Sequence, residues 1–251
     1  MTRTVDPQVL EAIAGFDTPS VFNCVRTLLG GGPEGEGLEH RGGVPVNYTD
    51  HTMRAMLPEL GMAVGYATTC EVTTNNRDFV ELPWASYYDY LEATPGPTMT
   101  VIKDVGTRAG RGSSIGDIMA IQHKMLGSVG MVVDGTIRDI GGLRRAGLPV
   151  WGWGQVSGHG LFYTTRFDAP ITVADLAVTP GDLLAADADG IVKIPSTIDP
   201  SDLLSEMQAL RRREDALIAE YAKPGANLAS IRAYFEDGFW KAGEIAGDAS
   251  K

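Results

Sequence analysis

Apolar positions recur at helical spacing from the amino terminus. Val9, Leu10 and Ile13 come first, then Val21, Val25, Leu28 and Leu29, with Pro19 placed to open a second helix. The pattern predicts a helical pair from Asp6 to Leu29 that closes at Gly30-Gly31-Gly32-Pro33. The glycines between Gly30 and Gly43 carry no Lys-Ser/Thr of a phosphate loop and follow no strand run, so they read as a flexible surface loop. Beyond them the period alternates. Gly61–Thr69 and Thr98–Lys103 read as strands, with a helix at Trp84–Ala93 between them. Gly116–Leu126 reads as helix, Val129–Val133 as a short buried strand, Ile140–Ala146 as helix and Pro149–Trp153 as strand. Such alternation predicts a buried sheet flanked by helices, an α/β layout.

From Ile171 to Ile194 the pattern changes to short strands punctuated by Pro180-Gly181-Asp182 and Asp189-Gly190, both turn signals. A long helix from about Asp202 to Tyr221 follows, then a Pro224-Gly225 break and a further helix from about Leu228 to Phe239. No fixed-period repeat or low-complexity linker divides the 251 residues. The expectation is one domain, with its core at about 16–195 and helices at both ends.

Charge narrows the function classes. Lys plus Arg number 21 against 32 for Asp plus Glu, a net charge of −11, which opposes general binding to nucleic acid or to an anionic membrane surface. Cys24 and Cys70 are far apart and cannot make a disulfide framework or a thiolate metal cage, so a reducing compartment is the default. Asp6 and Glu11 interrupt what would be the apolar stretch of a signal peptide, and no run reaches the roughly 18 apolar residues of a membrane span. A soluble, cytoplasmic protein is expected. His40, His51, His123 and His159 fall in no zinc-site spacing, and there is no Gly-x-Ser-x-Gly elbow.

Three places could carry chemistry. In Gly130–Asp139 a buried strand ends at Val133, and an Asp134-Gly135 turn delivers Arg138 and Asp139 just beyond it. Ligands in open α/β sheets gather outside the carboxyl ends of strands. The plain alternative is that Thr136 and Asp139 cap a helix while Arg138 makes a surface ion pair. Asp117 opens the helix after a glycine-rich stretch, and the free amides of Ile118 and Met119 there could cradle a carboxylate. Its plain alternative is a capping box with Ser114. In the long carboxyl-terminal helix, Leu203, Met207, Leu210, Leu217, Ile218 and Tyr221 fall within an arc of about 100°, and Glu214 lies inside it. An acid on an apolar stripe is paired, holds a metal, or is buried at a subunit contact. Arg211 and Arg213 are the nearest candidate partners.

From about Phe16 to Pro195 the chain resembles the RraA-like proteins, which comprise ribonuclease-activity regulators and divalent-metal-dependent 4-hydroxy-4-methyl-2-oxoglutarate and 4-carboxy-4-hydroxy-2-oxoadipate aldolases. The likeness is strongest in Gly116–Ala120, Val133–Asp139, Gly147–Val150 and Pro180–Gly190. Asp117, twenty intervening residues and Arg138-Asp139 reproduce the spacing of the metal-dependent members. The resemblance implies that Asp139 binds Mg²⁺ or Mn²⁺ directly and that Asp117 holds water of the metal's shell. It implies that Arg138 contacts the oxygens of a 2-oxo acid, whose carboxylate meets the Ile118 and Met119 amides. It implies a late glutamate from a neighbouring subunit, for which Glu214 is the candidate. The implied fold is an α/β/β sandwich resembling the swivelling phosphohistidine domain, assembled as homotrimers or homohexamers with intersubunit sites. Gly31–Asp50, Glu71–Tyr90, Trp151–His159 and the tail beyond Tyr221 depart from the better-known aldolases.

These residues suit a carbon–carbon lyase. A 2-oxo acid chelates a hard cation through its keto and carboxylate oxygens. Cleavage of the adjacent bond leaves an enolate that the cation and Arg138 stabilise, with a metal-ordered water expected to accept the substrate's hydroxyl proton, and the same electron sink serves retro-aldol cleavage and oxaloacetate decarboxylation. The alternative from another class is a non-catalytic regulator that binds a ribonuclease or another protein.

Overall fold

The computed structural model describes residues 6–30, 40–41, 44–45, 47–76 and 80–236. Asp6 accepts from the amide of Gln8 at 2.9 Å and Asp17 from that of Ser20 at 2.8 Å, side-chain caps that start α1 (Pro7–Ile13) and α2 (Thr18–Leu28). The stretch expected as a flexible loop is paired in part. β1 (His40–Arg41) and β2 (Val44–Pro45) form a short antiparallel ladder, and the rest of 31–43 lies outside the described residues. Then come β3 (Arg54–Ala55), β4 (Ala63–Thr73), α3 (Trp84–Ala93), β5 (Thr98–Asp104), β6 (Ser113–Ile115) and α4 (Asp117–Met125). These lead to β7 (Ser128–Asp134), β8 (Thr136–Ile137), α5 (Ile140–Ala146), β9 (Val150–Gly152), β10 (Gly154–Gln155) and β11 (Tyr163–Phe167). β12 (Ile171–Val173), β13 (Leu176–Val178), β14 (Leu183–Ala186) and β15 (Ile191–Ile194) precede α6 (Pro200–Tyr221) and α7 (Leu228–Glu236).

The main sheet has the order β15-β14-β4-β5-β7-β9-β3, with β11 paired to the far half of β4. Its centre, β4-β5-β7-β9, is parallel. Both ends are finished by antiparallel pairs. β5 and β7 are buried along almost their whole length, as strands covered on both faces must be. Alternation along β4 sorts the layers. Val64 packs with α1, α2 and α6, whereas Cys70 and Val72 pack with α3, α4 and α5. Ala63 and Ala67 face the opposite side, where the β12–β13 hairpin covers Met99, Val101 and Val132. Helices, main sheet and a second β layer make the expected α/β/β sandwich. Cys24 and Cys70 are buried free thiols, and among the described residues no helix is long and apolar enough to cross a membrane.

Two further features bear on the expected roles of His123 and Glu214. α3 and α4 are joined through a buried polar pair: His123 Nδ1 donates to Met119 O at 2.7 Å, and Nε2 accepts from the Tyr87 hydroxyl at 2.9 Å. Burial pulls the His123 imidazole down from 6.5 to about 4, so it stays neutral. Meanwhile the apolar stripe of α6 is only half used. Leu203, Met207 and Leu210 are buried against α1 and α2, but Leu217 is half-buried and Ile218 is 66% exposed. Glu214 therefore sits half-buried where the helix leaves the core, rather than on a buried face.

Candidate active site

The spacing of Asp117 from Arg138-Asp139 has a structural cause. β6 and β8 pair in parallel, Ser113 against Thr136 and Ile115 against Ile137, with β10 on the other side of β8. Both strands exit in the same direction, and the amide of Arg138 donates to Ile115 O at 3.1 Å. Gly116-Asp117 and Arg138-Asp139 therefore emerge side by side, beyond the carboxyl ends of the parallel core strands. The buried carboxylate of Asp104 shapes the loop feeding β6 by accepting from the amides of Gly106 (2.9 Å) and Gly110 (2.8 Å) and the Thr74 hydroxyl (3.2 Å). On the feed to β8, burial raises the Asp134 carboxyl, which accepts from Trp153 Nε1 at 2.9 Å.

Of the plain structural roles, the side-chain caps are not filled, whereas Arg138 does make an ion pair near the surface. Gly116, not Ser114, occupies the cap position of α4, and it has no side chain to form a capping box. Ser114 Oγ is buried without a hydrogen-bond partner. The Thr136 hydroxyl donates to the carbonyls of Gly110 (3.1 Å) and Gly112 (3.0 Å) instead of capping a helix. Asp139 does stand at the cap of α5, but in the left-handed region (φ 62°, ψ 41°) and with no side-chain cap bond. A left-handed non-glycine residue carries strain that persists where the surroundings impose it. Arg138 Nε lies 3.2 Å from Asp139 Oδ2, an adjacent pair whose side chains are 36% and 40% exposed, so it adds little stability.

The surrounding packing is close. A Cβ on Gly116 would stand 2.5 Å from Asp139 Oδ2, and one on Gly142 of α5 would stand 2.1 Å from Asp117 Oδ2. Glycine at both positions makes room for the two carboxylates. The cavity is about 230 Å³. Asp117, Ile118, Met119, Arg138 and Asp139 line it together, as the sequence reading grouped them, with Ser113, Ser114, Ile115, His159 and Phe162 around them. The amides of Ile118 and Met119 precede the first ladder bond of α4, Ala120 N to Gly116 O at 3.1 Å. Ser113, Ser114 and Phe162 carry no sequence signal for this role. His159 ends Trp151–His159, a segment that departs from the better-known aldolases, and that departure is its only sequence signal.

Glu214 is not among the residues lining the cavity of its own chain. Neither suggested arginine pairs with it. Arg211 bonds Asp17 at 3.2 Å and Arg213 bonds Glu206 at 3.0 Å. Among the described residues, no three His, Cys, Asp or Glu side chains gather into a metal-binding group.

A parallel-cored α/β/β sandwich with an acid–arginine–acid cluster at its strand ends defines a class of protein, and family comparison identifies it. The chain belongs to the RraA-like family, described as Aldolase/RraA, whose model matches residues 37–193. It is 31% identical over 182 residues to a Halalkalibacterium halodurans protein provisionally named 4-hydroxy-4-methyl-2-oxoglutarate aldolase, an alignment covering 72% of this chain and 80% of that one. Its fold is similar to that of a Pseudomonas syringae pv. tomato protein (TM-score 0.68, 19% identity, 93% of this chain and 97% of the other). It is also similar to Streptomyces coelicolor RraAS2, an unusual member of the RNase ES inhibitor RraA family (TM-score 0.62, 19% identity, 85% and 96%).

Proposed function

We propose that the protein is a divalent-metal-dependent carbon–carbon lyase that cleaves a 4-hydroxy-2-oxo acid to release pyruvate, with oxaloacetate decarboxylation as a related activity. The observation that carries this reading is the convergence of Asp117, Arg138 and Asp139 on one cavity without structural hydrogen bonds to cap either helix. The 31% identical aldolase relative supports it.

The donor set fits a hard cation. Mg²⁺ is commonly held through one or two carboxylates while water and substrate oxygens complete its shell. Asp139 and Asp117 supply two carboxylates, and the absence of a three-ligand cluster among the described residues argues against a closed, all-protein cage. Glu214 of a neighbouring copy is the proposed third acid, in a homotrimer or homohexamer. Its half-buried position and its independence from Arg211 and Arg213 leave it available for that role. When bound, the cation supplies Lewis acidity toward the substrate's keto oxygen.

The chain's own groups do the rest. The Arg138 fork matches adjacent keto and carboxylate oxygens and steadies the negative charge that develops when the bond breaks. The first amides of α4, at Ile118 and Met119, hold the carboxylate. The cavity's modest volume suits a small acid. Pyruvate measured through lactate dehydrogenase, over a panel of 4-hydroxy-2-oxo acids with Mg²⁺, Mn²⁺ or EDTA, tests the reading. Release that depends on the metal supports it. Release unaffected by EDTA, or no release at all, refutes it.

A further inference from the structure

His159 is held against the site by a contact that only glycines permit. The amide of Ser113 donates to Gly158 O at 2.8 Å. A Cβ on Gly112 would stand 2.7 Å from the His159 carbonyl oxygen and 2.9 Å from its carbonyl carbon. A Cβ on Gly160, whose φ is +65°, would stand 2.2 Å from Thr74 O. Glycine at 112 thus lets the His159 backbone press onto the segment that leads through β6 to Asp117, and glycine at 160 lets the following turn pass close to Thr74. His159 is thereby set among the residues lining the cavity that holds Asp117, Arg138 and Asp139.

The ring's hydrogen bonding then fixes what it can do. Nδ1 lies 2.8 Å from Gly160 O. A carbonyl only accepts, so Nδ1 carries the proton and the neutral ring offers Nε2 as a lone pair. An acceptor suits a hydroxyl proton and is repelled by a carboxylate. Among the residues lining the cavity, Asp117 and Asp139 are assigned to the cation and Arg138 is a permanent cation. Among the nitrogen-bearing side chains of the lining, that leaves the His159 ring as the one with an acceptor lone pair.

Building on the lyase reading, we propose that His159 Nε2 takes the proton from the substrate's 4-hydroxyl as the C3–C4 bond breaks. The O–H electron pair becomes the second C4–O bond. The C3–C4 pair passes into the pyruvate enolate, and the other fragment leaves as a carbonyl compound. His159 is exposed, so the imidazolium gives its proton to water while the enolate carbon takes one from water. Protons and charge then balance over the cycle.

Two substrates separate this role from a merely structural one. Oxaloacetate decarboxylation leaves the same enolate but has no hydroxyl proton to remove. His159→Gln should lose about 10²-fold or more in kcat on the 4-hydroxy-2-oxo acid while decarboxylation stays within about threefold of wild type. Oxalate affinity by calorimetry should be unchanged, and added imidazole should partly restore cleavage in His159→Ala. Equal losses on both substrates, or no loss on either, overturn the role of His159. A wild-type protein inert toward both overturns the lyase reading itself, and the proposal with it.

Discussion

Gly142→Ala perturbs the site from a buried, uncharged position that does not line the cavity. The new Cβ would meet Asp117 Oδ2 at 2.1 Å, Cγ at 2.6 Å and Cβ at 2.4 Å. The carboxylate could rotate away, but its Cβ cannot. Restoring ordinary carbon–carbon contact of roughly 3.5 Å withdraws Asp117 by about 1.1 Å. Alanine gains about 1 kcal/mol over glycine inside a helix, whereas overpacking costs about 1–3 kcal/mol. The net loss therefore lies between about zero and 2 kcal/mol, at most about 8 °C in Tm for a chain of this size. A misplacement of about 1 Å in a catalytic constellation can cost roughly 10²-fold. The expected result is a folded variant whose kcat/KM for pyruvate release, read by the coupled assay beside a thermal melt, falls about 10²-fold. A folded variant within about threefold of wild type would refute the claim that the placement of Asp117 matters.

Asp139→Asn keeps a residue type that tolerates left-handed backbone but lacks the charge. It should fold normally and lose Mn²⁺ binding by calorimetry, and unchanged affinity would remove Asp139 as a ligand. Mixing inactive Glu214→Gln with inactive Asp139→Ala under subunit exchange should restore part of the activity, because some contacts then pair an intact Asp139 with an intact Glu214. No recovery after proven exchange would exclude an intersubunit role. Acidification should destabilise the fold through His123. Its folded-state value of about 4 lies below the 6.5 of the free group, so between these values the unfolded chain binds a proton that the folded one refuses, and stability falls as pH drops. Urea midpoints at pH 7 and pH 5 should show a loss about 2 kcal/mol larger in wild type than in His123→Gln. Equal slopes would contradict this account.

Long periodic elements were legible in the sequence. Trp84–Ala93 and Ile140–Ala146 appear as read, and α2 begins with Pro19 in its first turn. The two- and three-residue strands β6, β8 and β10 were not legible, because no period can be counted over so few residues, yet their parallel pairing is what joins Asp117 to Arg138-Asp139. β11 was also missed. The β12–β13 turn runs through Ala174 and Asp175, both at positive φ, with no glycine to announce it. Within the site, the fixed spacing identified the acid–arginine–acid set, whereas His159 depends on a loop packed against a strand distant in sequence.

In the proposed mechanism Asp117, Arg138 and Asp139, with a divalent cation, stabilise the enolate of pyruvate. The most direct measurement needs no knowledge of the full substrate: proton NMR of pyruvate in D₂O, following loss of the methyl signal to deuterium with protein and Mg²⁺. Exchange is expected to run well above that with Mg²⁺ alone, to be abolished by EDTA and by Asp139→Asn, and to be strongly reduced by Arg138→Lys. Exchange no faster than with Mg²⁺ alone, in folded protein, would contradict that mechanism.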